Sequence, residues 1–304
     1  MKKNLLFPFK THKSGAHRGC LYLYFFLKHK RFFAMSSVSQ NHPGTAQDLT
    51  ELYHQKIKIA ILTCYDASFA CLFEEVKMDA VMVGDSLGMV IQGKKNTLGI
   101  RLKEVAYHVR CVRSGAPKLT IIADLPFGSY QKSKEQAYHS SVQLMNAGAS
   151  MVKMEGGVLL AETVNFLTQR GISVCGHIGL TPQSVFTLGG YRVQGKEEKA
   201  QTKILQDAKA LEQAGADLLV LEAIPRVLAK QITEALSIPT IGIGAAPECS
   251  GQVLVLYDLL GVGVGKKPKF VKNFLTGQRS IQRALEQYIL EVKTGTFPAA
   301  EHCY

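Results

Sequence analysis

Four apolar runs in this chain each stop at a carboxylate, and that pattern limits the folds open to it more than any other feature. Val81-Met82-Val83 leads through Gly84 to Asp85, and Ile121-Ile122-Ala123 leads to Asp124. Met151-Val152-Lys153-Met154 leads to Glu155, and Leu218-Leu219-Val220-Leu221 to Glu222. Short continuous apolar runs, without polar alternation, describe strands covered on both faces, as in a parallel sheet. A carboxylate at the end of such a strand is costly unless something positive meets it.

The rest of the chain supplies the partners for these strands. Further strands are expected over 57–63, 172–176, 239–243 and 253–256, which makes eight. Helices are expected between most of them: one to Lys77 capped by Ser68, then 101–113, Ser133 to 146, 159–169, 200–213 and 227–236, with closing helices over 270–292. Asn146-Ala147-Gly148-Ala149-Ser150 and Gln213-Ala214-Gly215-Ala216-Asp217 resemble each other as helix end, C-terminal glycine and strand start, the joint of a repeating βα unit. Eight strands alternating with helices predict an α/β fold, a closed (βα)8 (TIM) barrel with C-terminal closing helices. An open doubly wound sheet is the alternative. The long Gly-rich stretch 185–199 reads as a lid or a subunit contact.

Charge and cysteines narrow the function classes. The net charge of +12 suggests a polyanion partner, but residues 1–34 hold eight of the 36 Lys and Arg and none of the acids. The remaining 28 bases against 24 acids leave about +4, so no nucleic acid is expected. Residues 1–35 read as a basic N-terminal extension, disordered or not native, with Met35 as the natural start, and 36–304 as a single barrel domain. Leu21 to Leu27 is far shorter than a membrane span, so no membrane association is expected. Seven scattered cysteines without a Cys-x-x-Cys pair fit reduced thiols in a cytoplasmic protein. Cys175 and His177 lie two apart on one strand face; ordinary packing is favoured over a two-ligand metal site, and His177 alone reads as a hydrogen-bonded core histidine.

In a barrel, side chains at the C-terminal strand ends converge on one mouth. Asp85, Asp124, Glu155, His177 and Glu222 then become neighbours. Taken singly, each acid is better explained as a helix cap or turn former. Four in the same structural position count against that. Gathered carboxylates repel one another unless a cation sits among them, and an all-oxygen set favours Mg²⁺ or a similar hard ion. A 2-oxo acid can chelate such an ion, which acts as a Lewis acid and stabilises an enolate. Lys153 shares the strand face of Glu155 and can meet a substrate carboxylate or oxyanion. A Schiff-base aldolase using Lys153, another Mg²⁺ barrel enzyme of 2-oxo acids, and a non-catalytic metabolite-binding barrel are the competing readings.

The stretches Val83-Gly84-Asp85-Ser86-Leu87-Gly88-Met89, Ala123-Asp124-Leu125-Pro126-Phe127, Met151-Val152-Lys153-Met154-Glu155-Gly156-Gly157, Gly176-His177-Ile178-Gly179-Leu180-Thr181-Pro182-Gln183 and Leu221-Glu222 together resemble the ketopantoate hydroxymethyltransferase family, from about Lys58 to His302. The resemblance implies a Mg²⁺-dependent (βα)8 enzyme of pantothenate synthesis. Such an enzyme moves a one-carbon unit from 5,10-methylenetetrahydrofolate to 3-methyl-2-oxobutanoate, giving 2-dehydropantoate. It implies that Asp85, Asp124 and Glu155 form the metal site, that Asp85, Ser86, Asp124 and Lys153 contact the oxo acid, and that Glu222 is the proton acceptor. It also implies a large homo-oligomer, commonly a decamer. Two positions depart from the family pattern: Ala246 stands where a glycine is usual after the seventh strand, and Ser250 precedes Gly251-Gln252. Neither is a metal or base position.

Overall fold

A computed structural model describes residues 43–263 and 267–304. The basic extension over 1–35 lies outside them. Eight parallel strands close into a barrel, each hydrogen-bonded to the next and the eighth to the first. They are β1 (Ile59–Thr63), β2 (Ala80–Val83), β3 (Thr120–Asp124), β4 (Met151–Glu155), β5 (Val174–Gly179), β6 (Leu218–Glu222), β7 (Thr240–Ile243) and β8 (Gly251–Leu254). The open sheet is thereby excluded.

The strands read as unbroken apolar runs because both faces are covered. Inward positions Ile61, Met82, Ile122, Met151, Cys175, Val220 and Ile241 fill the barrel, whose lower end is packed by Ala46 and Leu49 of α1 (Ala46–His54). Outward positions such as Val81, Ile121, Val152, Leu219 and Leu221 pack under the surrounding helices. These are α2 (Ala67–Glu75), the single turn α3 (Leu87–Val90), α4 (Leu102–Gly115), α5 (Lys134–Ala147), α6 (Ala161–Thr168), α7 (Glu198–Gln213), α8 (Arg226–Ala235), α9 (Leu256–Leu259) and α10 (Ile281–Thr294). Among the described residues no helix is long and apolar enough to cross a membrane.

Several boundaries differ from the sequence reading. Asp66, not Ser68, caps α2: its backbone is extended and its carboxylate accepts the Phe69 N–H at 2.9 Å. Ser133 caps α5 as expected, accepting the Gln136 N–H. β8 begins at Gly251 rather than Val253, because that residue lies against the β1 backbone: an added Cβ would stand 2.3 Å from Ile59 O. Leu256 instead opens α9, its N–H held by Thr63 Oγ1 at 3.0 Å. In place of several closing helices over 270–292 there is one α-helix, α10, opened by its Ser280 cap and preceded by turns.

No helix joins β7 to β8, and α10 covers the β8–β1 seam. The Tyr288 hydroxyl lies 2.9 Å from Ile61 O and 3.0 Å from Gln252 O, bridging the two strands that close the barrel. The two departures from the family pattern lie near this joint. Ala246 is buried and its carbonyl accepts from Gln252 Nε2, while Ser250 Oγ accepts the Thr240 N–H.

Candidate active site

Strand pleating decides which side chains reach the mouth. Alternate residues point inward, so Ile122 and Asp124, Met151, Lys153 and Glu155, Cys175 and His177, and Val220 and Glu222 lie on inner rows of their strands. Each row is apolar below and polar at the top. Register then sets the neighbours: Asp124 faces Lys153, and Glu155 faces His177. Asp85 arrives differently. It lies three residues past Met82, the last inward apolar residue of β2, at odd spacing and beyond the strand end. The turn through Gly84 carries it in, and its N–H donates to Asp124 Oδ2 at 3.0 Å.

The result is a buried network around one ammonium. Lys153 Nζ lies 3.1 Å from Asp124 Oδ2, 3.8 Å from Glu155 Oε1 and 3.5 Å from His177 Nδ1. His177 sits between two acids, with Nδ1 3.3 Å from Glu155 Oε1 and Nε2 3.2 Å from Glu222 Oε2. These imidazole contacts have ion-pair distances but not hydrogen-bond alignment, so Glu155 Oε1 and His177 Nε2 lack an aligned partner. Ser86 Oγ is 2.8 Å from the Tyr65 hydroxyl, which itself is buried. The structure thus brings together Asp85, Asp124, Lys153, Glu155 and Glu222, with Ser86 at the turn beside Asp85.

Burial shapes the protonation of this set. It pushes Asp85 well above the ordinary carboxylate range, reinforced by the charges of Asp124 and Glu155. Burial also raises Asp124, against the opposing pull of Lys153. For Glu155 burial acts upward too, but contacts with His177, Lys153 and the Gln183 N–H outweigh it and the group ends lower. Lys153 ends raised, since Asp124, Glu155 and Asp85 together overcome its desolvation. Burial and Lys153 pull His177 down, yet Glu155 and Glu222 bring it up to about 9. His177 is thus a buried histidine held between two acids, whose charges favour its protonated form. Cys175 lies below it among apolar side chains and takes no part.

Among the described residues no three acidic, imidazole or thiol groups form a finished metal cage. The donor set nonetheless fits a hard cation. Asp124 Oδ1 is buried without any hydrogen-bond donor, and the four acids outnumber Lys153 and His177. Mg²⁺ asks for only one or two carboxylates, keeping water or substrate elsewhere, so a finished cage is not required.

Sequence reasoning singled out no role for Tyr130 or Gln183. Both are buried in the site and hydrogen-bonded to each other at 2.8 Å. Gln183 was visible only as part of a Thr-Pro-Gln turn. The long loop after it carries Tyr191, half exposed, whose hydroxyl lies 3.7 Å from Met89 Sδ on α3 and so bridges two loops of the mouth.

Residues 44–300 match the family model for ketopantoate hydroxymethyltransferase. The chain belongs to the ketopantoate hydroxymethyltransferase family. Relatives in that family are more than half identical to it over the aligned residues. The 3-methyl-2-oxobutanoate hydroxymethyltransferase of Azoarcus sp. strain BH72 is 55% identical over 271 residues, covering 89% of this chain and all of the relative. That of Nitrosospira multiformis is 58% identical over 247 residues, covering 81% and 94%. Among solved structures, phosphonopyruvate hydrolase in complex with oxalate and Mg²⁺ superposes with a TM-score of 0.54 at 13% identity, covering 70% of this chain and 81% of that one. That likeness is one of fold. The acids, Lys153 and His177 gathered at the mouth all lie in the stretches that resemble the family.

Proposed function

We propose that this site transfers a hydroxymethyl group from 5,10-methylenetetrahydrofolate to 3-methyl-2-oxobutanoate, giving 2-dehydropantoate, with Mg²⁺ as cofactor. The observation that carries the reading is the convergence of Asp85, Asp124, Glu155 and Glu222 around Lys153 and His177 in one mouth of a family member. Asp85, Asp124 and Glu155 are the residues that would hold the ion. When bound, Mg²⁺ draws electron density from the keto acid and so acidifies its C3 proton.

The chain's own groups do the rest. Lys153, fixed between Asp124 and Glu155, offers a buried positive charge to the oxo acid's oxygens. Asp85 and Ser86 line the same turn and border the oxo-acid site. Glu222, at the top of β6 and more open than the other acids, takes the C3 proton as general base. His177 Nε2 stands 3.2 Å from its Oε2 and holds the carboxylate at the mouth. The hydrophobic floor of the barrel excludes water from below, which strengthens each of these interactions.

We place the enzyme in the cytoplasm as a homo-oligomer of decamer size, on the strength of its family and its free thiols. Light scattering on the purified protein checks the assembly; a monomer contradicts it. For the chemistry, the decisive measurement is turnover with both substrates and Mg²⁺. Glu222→Gln should lower kcat by about 10²–10⁴-fold, the usual contribution of a general base, while oxo-acid binding persists. Turnover equal to wild type would remove Glu222 from the mechanism.

A further inference from the structure

Gln183 touches two of the candidate metal ligands at once, and nothing in the proposed chemistry uses it. It stands in the single 3-10 turn Pro182–Ser184 that follows β5. Its main-chain N–H donates to Glu155 Oε2 at 2.8 Å. Its side-chain Nε2 donates to Asp85 Oδ2 and to Leu125 O, both at 2.9 Å. Its Oε1 accepts from the Tyr130 hydroxyl at 2.8 Å and from Gln131 Nε2 at 3.2 Å. Tyr130 in turn accepts the Glu155 N–H at 3.0 Å.

Two features separate this amide from ordinary packing. First, it is only 5% exposed, and its orientation is fixed chemically: two acceptors face Nε2 and two donors face Oε1. Second, the two carboxylates it holds come from the ends of different strands, β2 and β4, which have no direct bond to each other in the barrel. A neutral donor suits this task. A second Lys in its place would compete with a cation, whereas an amide holds one carboxylate oxygen and leaves the charge available. Asp124 Oδ1 and Glu155 Oε1 are then the buried carboxylate oxygens left without a hydrogen-bond partner.

We propose that Gln183 is a positioning residue of the cation site: it ties one oxygen of Asp85 and one of Glu155 to the protein, and so fixes which carboxylate oxygens remain for a divalent ion. The role rests on the metal reading given under Proposed function. Partners of this outer kind typically contribute about 10–100-fold to metal affinity.

The test is calorimetric titration of Mg²⁺ into the full-length protein with 3-methyl-2-oxobutanoate present and folate absent, beside steady-state turnover at varied Mg²⁺. Gln183→Met keeps the length and the main-chain N–H to Glu155 but loses the side-chain amide that donates to Asp85 and Leu125 O. It should weaken Mg²⁺ binding by about 10–100-fold. Turnover at saturating Mg²⁺ should stay within roughly threefold of wild type, a split that a general loss of packing would not produce. Tyr130→Phe removes the hydroxyl that locks Oε1 and leaves every carboxylate side chain in place; it should shift Mg²⁺ affinity the same way by less. A folded Gln183→Met protein with wild-type Mg²⁺ affinity overturns the proposal. So does a variant with reduced kcat and unchanged affinity, or unfolding of both variants, since Gln183 would then be a structural link only. Wild-type protein that binds no Mg²⁺ defeats the metal reading itself, and this arm tells the two failures apart.

Discussion

Replacing Lys153 by Met removes the one ammonium around which the site is assembled. At 3.1 Å from Asp124 and 3.8 Å from Glu155, with an effective dielectric constant near 20, its attractions amount to about 5 and about 4 kcal/mol. Desolvation of the buried groups offsets much of that, and Met recovers some apolar packing. Breaking a buried pair on one side still leaves acids without a counter-charge, which typically costs about 3–5 kcal/mol. For a barrel of this size the expected fall in melting temperature is on the order of 10 °C in the presence of chelator. A divalent ion among the same acids would supply the missing charge, so Mg²⁺ with oxo acid should restore a large part of the loss. Differential scanning fluorimetry of both proteins, with EDTA and with Mg²⁺, gives the four melting temperatures required. Equal melting of wild type and Lys153→Met in EDTA refutes the claim that Lys153 neutralises these acids. A deficit that Mg²⁺ leaves untouched refutes the claim that the ion sits among them.

Two other perturbations probe how the fold holds the site. Gly179 has φ +91, and a Cβ there would lie 2.3 Å from Glu222 O and 2.7 Å from Ile224 Cγ2, so Gly179→Ala should displace Glu222, the proposed base. Turnover should fall by up to about 10²-fold, as displacements near 1 Å can cause, while Mg²⁺ affinity stays near wild type; full activity would show that Glu222 tolerates the shift. Tyr288→Phe removes the hydroxyl that bridges β1 and β8 and should cost about 1–2 kcal/mol in urea unfolding, without change in KM; an unchanged urea midpoint would deny the seam its clamp.

The barrel was legible because both of its faces are apolar, and the acids stood out against that background. Asp85, Asp124, Glu155 and Glu222 could be read as neighbours from a rule about strand ends alone. What the sequence concealed was the work of turns. Ser68 and Asp66 are both good caps, and only the backbone shows that Asp66 is the extended residue. β8 was misplaced by two residues because Gly251 has no side chain to signal a strand, although its missing side chain is what lets β8 approach Ile59. His177 looked like a core histidine because a single residue does not announce that Glu155 and Glu222 flank it. Gln183 was hidden for the same reason: an amide in a turn acquires meaning only from the groups that face it.

Strand parity connects these observations. Each inner row is apolar at Ile122, Met151, Cys175 and Val220 and turns ionic above, at Asp124, Lys153, His177 and Glu222. The floor keeps water out, so an unpaired charge there is far more costly than at a surface, and every charge must be matched by name. Two bases face four acids, and the imbalance is concentrated where Asp124 Oδ1 has no donor. A site built for a neutral ligand would gain from replacing these acids with amides. An added cation would complete the set, so removing Lys153 and removing the proposed divalent ion should cost stability through the same carboxylates.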